Sequence, residues 1–451
     1  MIRIDSKRLP VHRGPAAWNL LLGQPDSPVA LTGNKKADFV IVGAGFAGLA
    51  AACRLYQLQP TARIVVVDAG SLGEGAAGRN SGFMIDLPHV LTSADYAGPA
   101  EAQLQDAKAK IALNRQAIAF ARLAAEEFDI NPAFVDPVGK INGAASVAAD
   151  RKNHSYAMHL TALAEPFERL DAGQMRALTG SAHYLSGLYT PGTVMLQPAG
   201  YIRGLAAGLR HRGIEIFETS PVRSFIQKTG GWDVVTAQGR LAAGQVILAV
   251  NGHLESFGYA RGRLMQLFLF GAMTPELDAG DLRRLGGAAR WGITPADPMG
   301  TSMRRIDTPL GGNRILTRSC AVLRSGLQTR AADLRRAAAV MQQKFDQRFP
   351  ALAGLKMAHV WAGHLCLSKN DVSVTGEIEP GLFAACVQNG LGTVRGTLTG
   401  IAAAERACGV TSMITAHFAA EAPPQPLPPR PLLEAGGNLV LRWREWLARQ
   451  D

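Results

Sequence analysis

Asp38-Phe39-Val40-Ile41-Val42-Gly43-Ala44-Gly45-Phe46-Ala47-Gly48 is the stretch that decides the fold. A short apolar strand runs into G-x-G-x-x-G, which opens a helix. A second β-branched strand, Arg63-Ile64-Val65-Val66-Val67, follows and ends on Asp68, 20 residues after Gly48. Each glycine has a separate duty at this spacing. Gly43 allows a tight turn, Gly45 lets backbone approach a pyrophosphate, and Gly48 lets helix and strand pack closely. Phe46 and Ala47 open the helix, whose N-terminus offers free N–H groups and a partial positive charge to phosphates. Asp68, with Ala69 after it, stands where a carboxylate accepts from ribose hydroxyls. Glycines alone would be a weak signal in a chain holding 49 of them, but the whole βαβ unit in order predicts a dinucleotide site.

Working outward, the 451 residues suffice for two or three domains, and 47% hydrophobic residues give them a core. No apolar run is long enough to span a bilayer, and the first residues, Met1-Ile2-Arg3-Ile4-Asp5, lack the apolar centre of a signal peptide. The five cysteines are scattered without a CxxC pair, so neither a metal site nor a disulfide framework is expected, and a reducing cytoplasm is. The net charge of +11 comes from dispersed arginines, with no basic block and no nucleic-acid module. It reads as a solvated surface rather than as nucleic-acid binding.

Beyond Asp68 the run Gly73-Glu74-Gly75-Ala76-Ala77-Gly78-Arg79-Asn80-Ser81-Gly82-Phe83 is too long and glycine-rich for a simple turn. Helix is expected over about 99–129, strands and turns over 131–148, and helix again over about 150–176. Another helix is expected after Gln197-Pro198, with Tyr201 packing at a domain junction. Strands follow at 214–217, 222–225 (with Val222) and 232–236. The run Gln245-Val246-Ile247-Leu248-Ala249-Val250-Asn251-Gly252 is apolar throughout, as in a parallel strand buried on both faces. The first sheet therefore resumes there, after an inserted second domain. Residues 262–325 alternate as half-buried antiparallel strands do. A helix over 331–349 turns Leu334, Ala338, Met341 and Phe345 to one side, and Pro350 stops it. A final Ala-rich helix should end near 408.

These features together resemble the FAD-dependent D-amino-acid oxidase superfamily, in the branch of glycine, sarcosine and γ-glutamylputrescine oxidases. The resemblance covers roughly 37–410. Four segments carry it: Gly43-x-Gly45-x-x-Gly48 with Asp68; Ala77 to Phe83, like the loop beside the flavin; Val246 to Gly252, like the strand closing the dinucleotide domain; and the C-terminal return. That return comprises Trp361-Ala362-Gly363, Asp371, Gly376-Glu377-Ile378-Glu379-Pro380-Gly381, and Gln388-Asn389-Gly390-Leu391-Gly392-Thr393. A helix opening after Gly392 would aim its N-terminus at the flavin C2 carbonyl oxygen, stabilising negative charge on the reduced ring. The departures fall mostly on the substrate side. Glu is more usual than Asp68, Gly-His-Gly more usual than Asn389-Gly390-Leu391-Gly392, and the residues His364 to Asn370 replace the usual ones after Trp-x-Gly.

The resemblance implies an α/β fold: a Rossmann-type, glutathione-reductase-like FAD-binding domain interleaved with an antiparallel-sheet α+β substrate domain. The expected segments are an arm (1–36), the FAD-binding domain (37–90, 190–260 and 355–410), the substrate domain (91–189 and 261–354), and a proline-rich linker with an amphipathic helix (411–451). It implies non-covalent FAD, held by the first glycine motif and Asp68, by Gly78 to Gly82, by Val222, Asn251 and Gly252, and by Asn389 to Thr393. Cys366 lies near where some sarcosine oxidases attach flavin, but its surroundings match poorly and a buried, inert thiol is expected.

The implied reaction oxidises a C–N bond of an amine or amino acid, by hydride transfer from the α-carbon to flavin N5, and the imine product hydrolyses. Only a neutral amine has the lone pair to expel hydride, so the site should favour loss of the ammonium proton. A substrate carboxylate calls for an arginine clamp, with Arg304, Arg305 and Arg318 as candidates. His364, and less so His253, are candidates for a catalytic role. The acceptor is oxygen or another oxidant. Alternatives are an amine dehydrogenase with a non-oxygen acceptor, or a flavoprotein subunit with a structural FAD. The tail 437–450 places Leu439, Trp443, Trp446 and Leu447 on one side among arginines, for its own protein, a membrane surface or a partner chain.

Overall fold

The computed structural model describes residues 2–23, 27–87 and 101–451. Gly33–Val42 and Ile64–Val67 form parallel neighbours, with helix Phe46–Leu58 crossing between them. Glu215–Phe217 extends this sheet on one side, parallel to Ile64–Val67. On the other side Gly239–Leu248 pairs in parallel with Gly33–Val42, and Leu382–Cys386 pairs in parallel with Gly239–Leu248. Val246, Ile247 and Leu248 are fully buried, as a strand covered on both faces must be. Antiparallel strands at Gly231–Val235, Ser224–Lys228 and Arg3–Asp5 complete nine, with Val374–Glu379 beside Leu382–Cys386.

Eight strands make the second sheet, in the order His359–Ser368, Leu264–Met273, Arg314–Leu323, Ser302–Ile306, Trp291–Pro295, Lys140–Ala144, Ser186–Thr190 and Glu168–Asp171. All pairs are antiparallel except Trp291–Pro295 with Lys140–Ala144. A three-stranded sheet of Phe83–Met84, Val194–Leu196 and Val135–Asp136 lies where the chain crosses between the two.

Several expectations need correction. His359–Ser368, expected with the FAD-binding segments, pairs along its full length with Leu264–Met273 in the second sheet. The expected break at 90–91 and the first two residues of the 99–129 helix lie outside the described residues; the helix is described over Glu101–Glu127. The helix expected over 150–176 is two helices, Val147–Leu163 and Ala172–Thr179, parted by strand Glu168–Asp171. Ala164 adopts a left-handed cap and Asp171 starts a capping box, so a stop and a fresh start are both written there. Ser302–Ile306 is buried at every position, not half-buried. One face of this sheet packs on helix Ala331–Arg348 through Met341 and Phe345, and the other lines a cavity. In the arm, whose apolar Trp18, Leu20, Leu21 and Leu22 are the sequence's candidates for anchoring it, Trp18 is fully buried whereas Leu20 points outward. Tyr201 stacks on Phe46 at 5.9 Å, inside the dinucleotide-domain core.

Candidate active site

One elongated cavity of about 420 Å³ runs from the Gly43–Ala47 turn to the second sheet. Backbone geometry makes its first end. Gly43 has φ +107°, and a Cβ there would lie 2.5 Å from the Ala249 carbonyl oxygen. A Cβ at Gly48 would sit 1.7 Å from the Gly43 oxygen, so strand and helix touch as the motif requires. Gly45 faces open space instead, its nearest neighbour being the Ala77 Cβ at 3.5 Å. It caps helix Phe46–Leu58 without a side-chain bond, leaving first-turn N–H groups open toward the cavity.

Asp68 lines the same end. Its Oδ2 accepts from the Ala44 N–H at 2.7 Å and its Oδ1 from the Gly70 N–H at 2.8 Å. Burial pushes its pKa up, and the two N–H bonds oppose that push. Each oxygen keeps a lone pair for a ribose hydroxyl. Ala69, Val222 and Asn251 continue the wall.

Farther along, Arg79, Asn80 and Ser81 border the cavity. The Arg79 guanidinium gathers carbonyls from three segments: Glu74 at 2.7 Å, Gly14 at 2.9 Å and Ala362 at 3.4 Å. Opposite, Gly390, Leu391, Gly392 and Thr393 lead into helix Val394–Ala407, which also lacks a side-chain N-cap. Gly400 brings this helix against Ala47, so two helix N-termini open onto one cavity. Gly48, Gly78, Gly82, Gly252 and Asn389 lie behind the wall, where they shape it. Asn389, for instance, has φ +49° and holds the turn through Ser368 N–H and Val372 O.

The second sheet forms the far end. Its register sets Gly271, Arg318 and Ser302 side by side on three adjacent strands, and Thr294 lies on the strand beyond. Phe83, Ile85, Leu269 and Phe270 add apolar wall. The Arg318 guanidinium makes no hydrogen bond or ion pair with any described residue, and burial pulls its pKa below the usual value.

Arg304 and Arg305 do not reach the cavity, which corrects their candidacy as carboxylate clamps. Arg304 is buried behind the Ala77–Phe83 segment, donating to Leu196 O at 2.5 Å and Ser81 O at 3.2 Å, with its guanidinium over the Trp18 ring. Arg305 is on the opposite face of its strand, as alternation demands, and donates to Gly286 O at 2.5 Å.

His364 lines the cavity with His253 and His12. Gln266 donates its amide to Gly252 O and Glu255 Oε2, so its Oε1 must accept, and it lies 2.9 Å from His364 Nε2. His364 therefore carries its proton on Nε2 and a lone pair on Nδ1. Burial and the neighbouring histidines hold its pKa well below 6.5. Burial lowers His253 and His12 to about 4, helped by His12 in the first case and Arg79 in the second. Cys366 is fully buried and outside the cavity lining, and burial pushes its thiol up.

Sequence reasoning missed the arm. Ser6, Arg8, Leu9, Pro10 and His12 line the cavity, brought there by strand Arg3–Asp5 and by the Arg79 bond to Gly14. It also missed Thr294 and Ser302, whose only signal was their position on alternating strands facing Arg318.

A βαβ dinucleotide cradle continuous with a second-sheet cavity is the architecture of a flavin-dependent oxidoreductase. The comparisons agree. Residues 38–406 match the family model DAO, FAD dependent oxidoreductase, and the chain belongs to this family. A curated relative, described as a probable oxidoreductase OrdL from Rhizobium meliloti, is 24% identical over 396 residues, covering 85% of this chain and 86% of the relative. Glycine oxidase from Geobacillus kaustophilus has a similar fold, with TM-score 0.67 and 18% identity over 84% of this chain and 96% of that one. L-amino acid deaminase from Proteus vulgaris gives TM-score 0.64 and 16% identity over 85% and 93%. The chain is thus an FAD-dependent oxidoreductase. Its residues fit FAD: Gly45 leaves the space a Cβ would fill, and two uncapped helix ends and Asp68 face the same cavity.

Proposed function

We propose that this enzyme oxidises the C–N bond of an amino acid, or of an amine bearing a carboxylate. The observation that carries this reading is Arg318, a half-buried guanidinium without a partner among the described residues, in the same cavity as the Gly43–Ala47 turn. A desolvated guanidinium is costly unless an anion meets it, and a carboxylate meets it with two parallel bonds. FAD, when bound, supplies the hydride acceptor.

The protein's own part is binding, orientation and proton control. Gly43–Ala47, Asp68 and Gly390–Thr393 hold the cofactor. Arg318 fixes the substrate carboxylate, with Ser302 and Thr294 beside it as polar neighbours. Phe83, Ile85, Leu269 and Phe270 exclude water from the substrate nitrogen. Their apolar surroundings and the positive charge of Arg318 both disfavour the ammonium form, so the amine loses its proton before reaction. His364 stays neutral at the cavity wall and offers Nδ1 as a hydrogen-bond acceptor rather than as a base. Cys366 lies away from the cavity, so it does not tether the flavin.

The visible spectrum of the purified protein, recorded anaerobically against a panel of amino acids and of amines lacking a carboxylate, tests the reading. Bleaching of the flavin band by amino acids alone is the expected result. Bleaching only by carboxylate-free amines would remove Arg318 from the scheme. A band that no compound bleaches would favour a flavoprotein subunit with structural FAD.

A further inference from the structure

The helix Arg430–Leu447 is amphipathic but docks the wrong way round. Its polar side faces the protein. The strand Ser302–Ile306 pairs only with residues 314–318 of its neighbour, leaving the backbone edge beyond them open. Three side chains of the helix close that edge. Glu445 accepts from the Ala321 N–H at 2.8 Å, Asn438 accepts from the Leu323 N–H at 2.9 Å and donates to Leu323 O at 3.0 Å, and Glu434 accepts from the Ser325 N–H at 3.1 Å. Glu434 also pairs with Arg324 and Glu445 with Arg336. With these polar groups used inward, the large apolar residues face out. Leu439 is 72% exposed, Trp443 57% and Trp446 58%, and Leu432, Val440 and Leu447 join them.

We infer that this outward face seats the enzyme on an anionic lipid surface. Three observations choose lipid over a protein partner. The stripe is a single helix wide, offering fewer residues than the roughly 20–30 per side that a stable protein interface uses. Its composition is that of an interfacial helix: two tryptophans within an apolar face, exposed Arg444 beside it, and Arg449 stacked on the Trp446 ring at 4.5 Å. The net charge of +11 repels a second copy and draws the molecule to anionic headgroups. The helix lies on the membrane rather than crossing it; among the described residues no helix is long and apolar enough to span one.

Flotation and sedimentation of the FAD-loaded enzyme test this, with vesicles of phosphatidylcholine alone and of phosphatidylcholine with phosphatidylglycerol. Binding to the anionic vesicles, weaker at high salt and at least about tenfold weaker on neutral ones, is expected. Tryptophan emission should shift to the blue on binding. Trp18, Trp232, Trp291 and Trp361 are already buried, so the shift reports Trp443 and Trp446. The variant L439S/W443Q/W446Q should lose binding by about tenfold or more while keeping its flavin spectrum and melting temperature. Wild type that stays unbound with anionic vesicles overturns the proposal. So does equal binding to neutral vesicles, or a triple variant that binds like wild type. A dimer that the triple variant dissolves would give the face to a second copy instead.

Discussion

Arg304 and Arg318 stand on neighbouring strands, the first buried and the second half-buried at the cavity wall, and their surroundings give them different work. Arg304 spends its donors on the Leu196 and Ser81 carbonyls, joining the second sheet to the Ala77–Phe83 loop. Arg318 has spent none on described residues. Replacing Arg318 by Met should therefore leave FAD content unchanged while kcat/KM for an amino acid falls about 10²- to 10³-fold, the cost of losing a bidentate charge pair. Steady-state kinetics with a flavin absorbance check reads both. Arg318→Lys should recover only part, since an ammonium is a point charge without the planar fork. An Arg318→Met enzyme with wild-type kcat/KM would show that no carboxylate sits there. The sequence offered Arg304, Arg305 and Arg318 on equal terms. Alternation alone separates Arg304 from Arg305, but choosing between Arg304 and Arg318 needs the neighbouring carbonyls, which come from residues more than 100 positions away. The glycines were more legible, because Gly43, Gly45 and Gly48 act through local backbone.

At the scale of elements, the C-terminal helix shows how a pattern can be read from sequence while its orientation stays open. Leu439, Trp443, Trp446 and Leu447 do share a side. The usual rule turns such a side inward. Here an open strand edge lies beneath, and a buried backbone N–H without a partner costs more than an exposed leucine. Asn438 makes the clearest case, since one amide satisfies both N–H and C=O of Leu323. Asn438→Ala should therefore lower stability by about 1–3 kcal/mol in urea unfolding, by leaving those groups unpaired. Leu439→Ser, on the outward side, should leave stability unchanged within about 0.5 kcal/mol. Equal losses in the two variants would mean that the helix does not hold this edge. The parallel strands were legible for the opposite reason: a run such as Val246 to Leu248 is apolar on both faces, and only a doubly covered sheet satisfies that.

Across the whole molecule, the site is assembled from segments that no local pattern connects. The return of the first sheet after the insertion could be read from its strand. The arm could not, because residues 6–14 have no periodicity and gain their place from Arg79 and from pairing at Arg3–Asp5. One consequence is a cluster of three histidines drawn from distant stretches: His12 of the arm, His253 after the first-sheet strand, and His364 of the second sheet. His253 and His364 rings lie 5.5 Å apart. All three are held neutral, His12 and His253 with pKa values near 4 and His364 well below 6.5, because burial and their neighbours disfavour charge. An unfolded chain would protonate them near 6.5. Between about pH 6.5 and 4 the unfolded state therefore binds protons that the folded state refuses, and stability falls as pH falls. Above about 6.5 both states are neutral and this contribution vanishes. Carboxylates held below their usual range, such as Asp333 beside Arg324, act at lower pH, whereas Asp68 and Asp371, pushed up by burial, work against the histidines within this window. Melting temperature measured from pH 8 to 4.5 should stay level above pH 7 and then drop, with FAD release following the same curve. His253→Gln removes one proton-binding group from the unfolded chain and should make the drop shallower. A melting temperature unchanged down to pH 4.5 would mean that the histidines titrate in the folded protein as freely as in water, and that the arm does not seal the cavity.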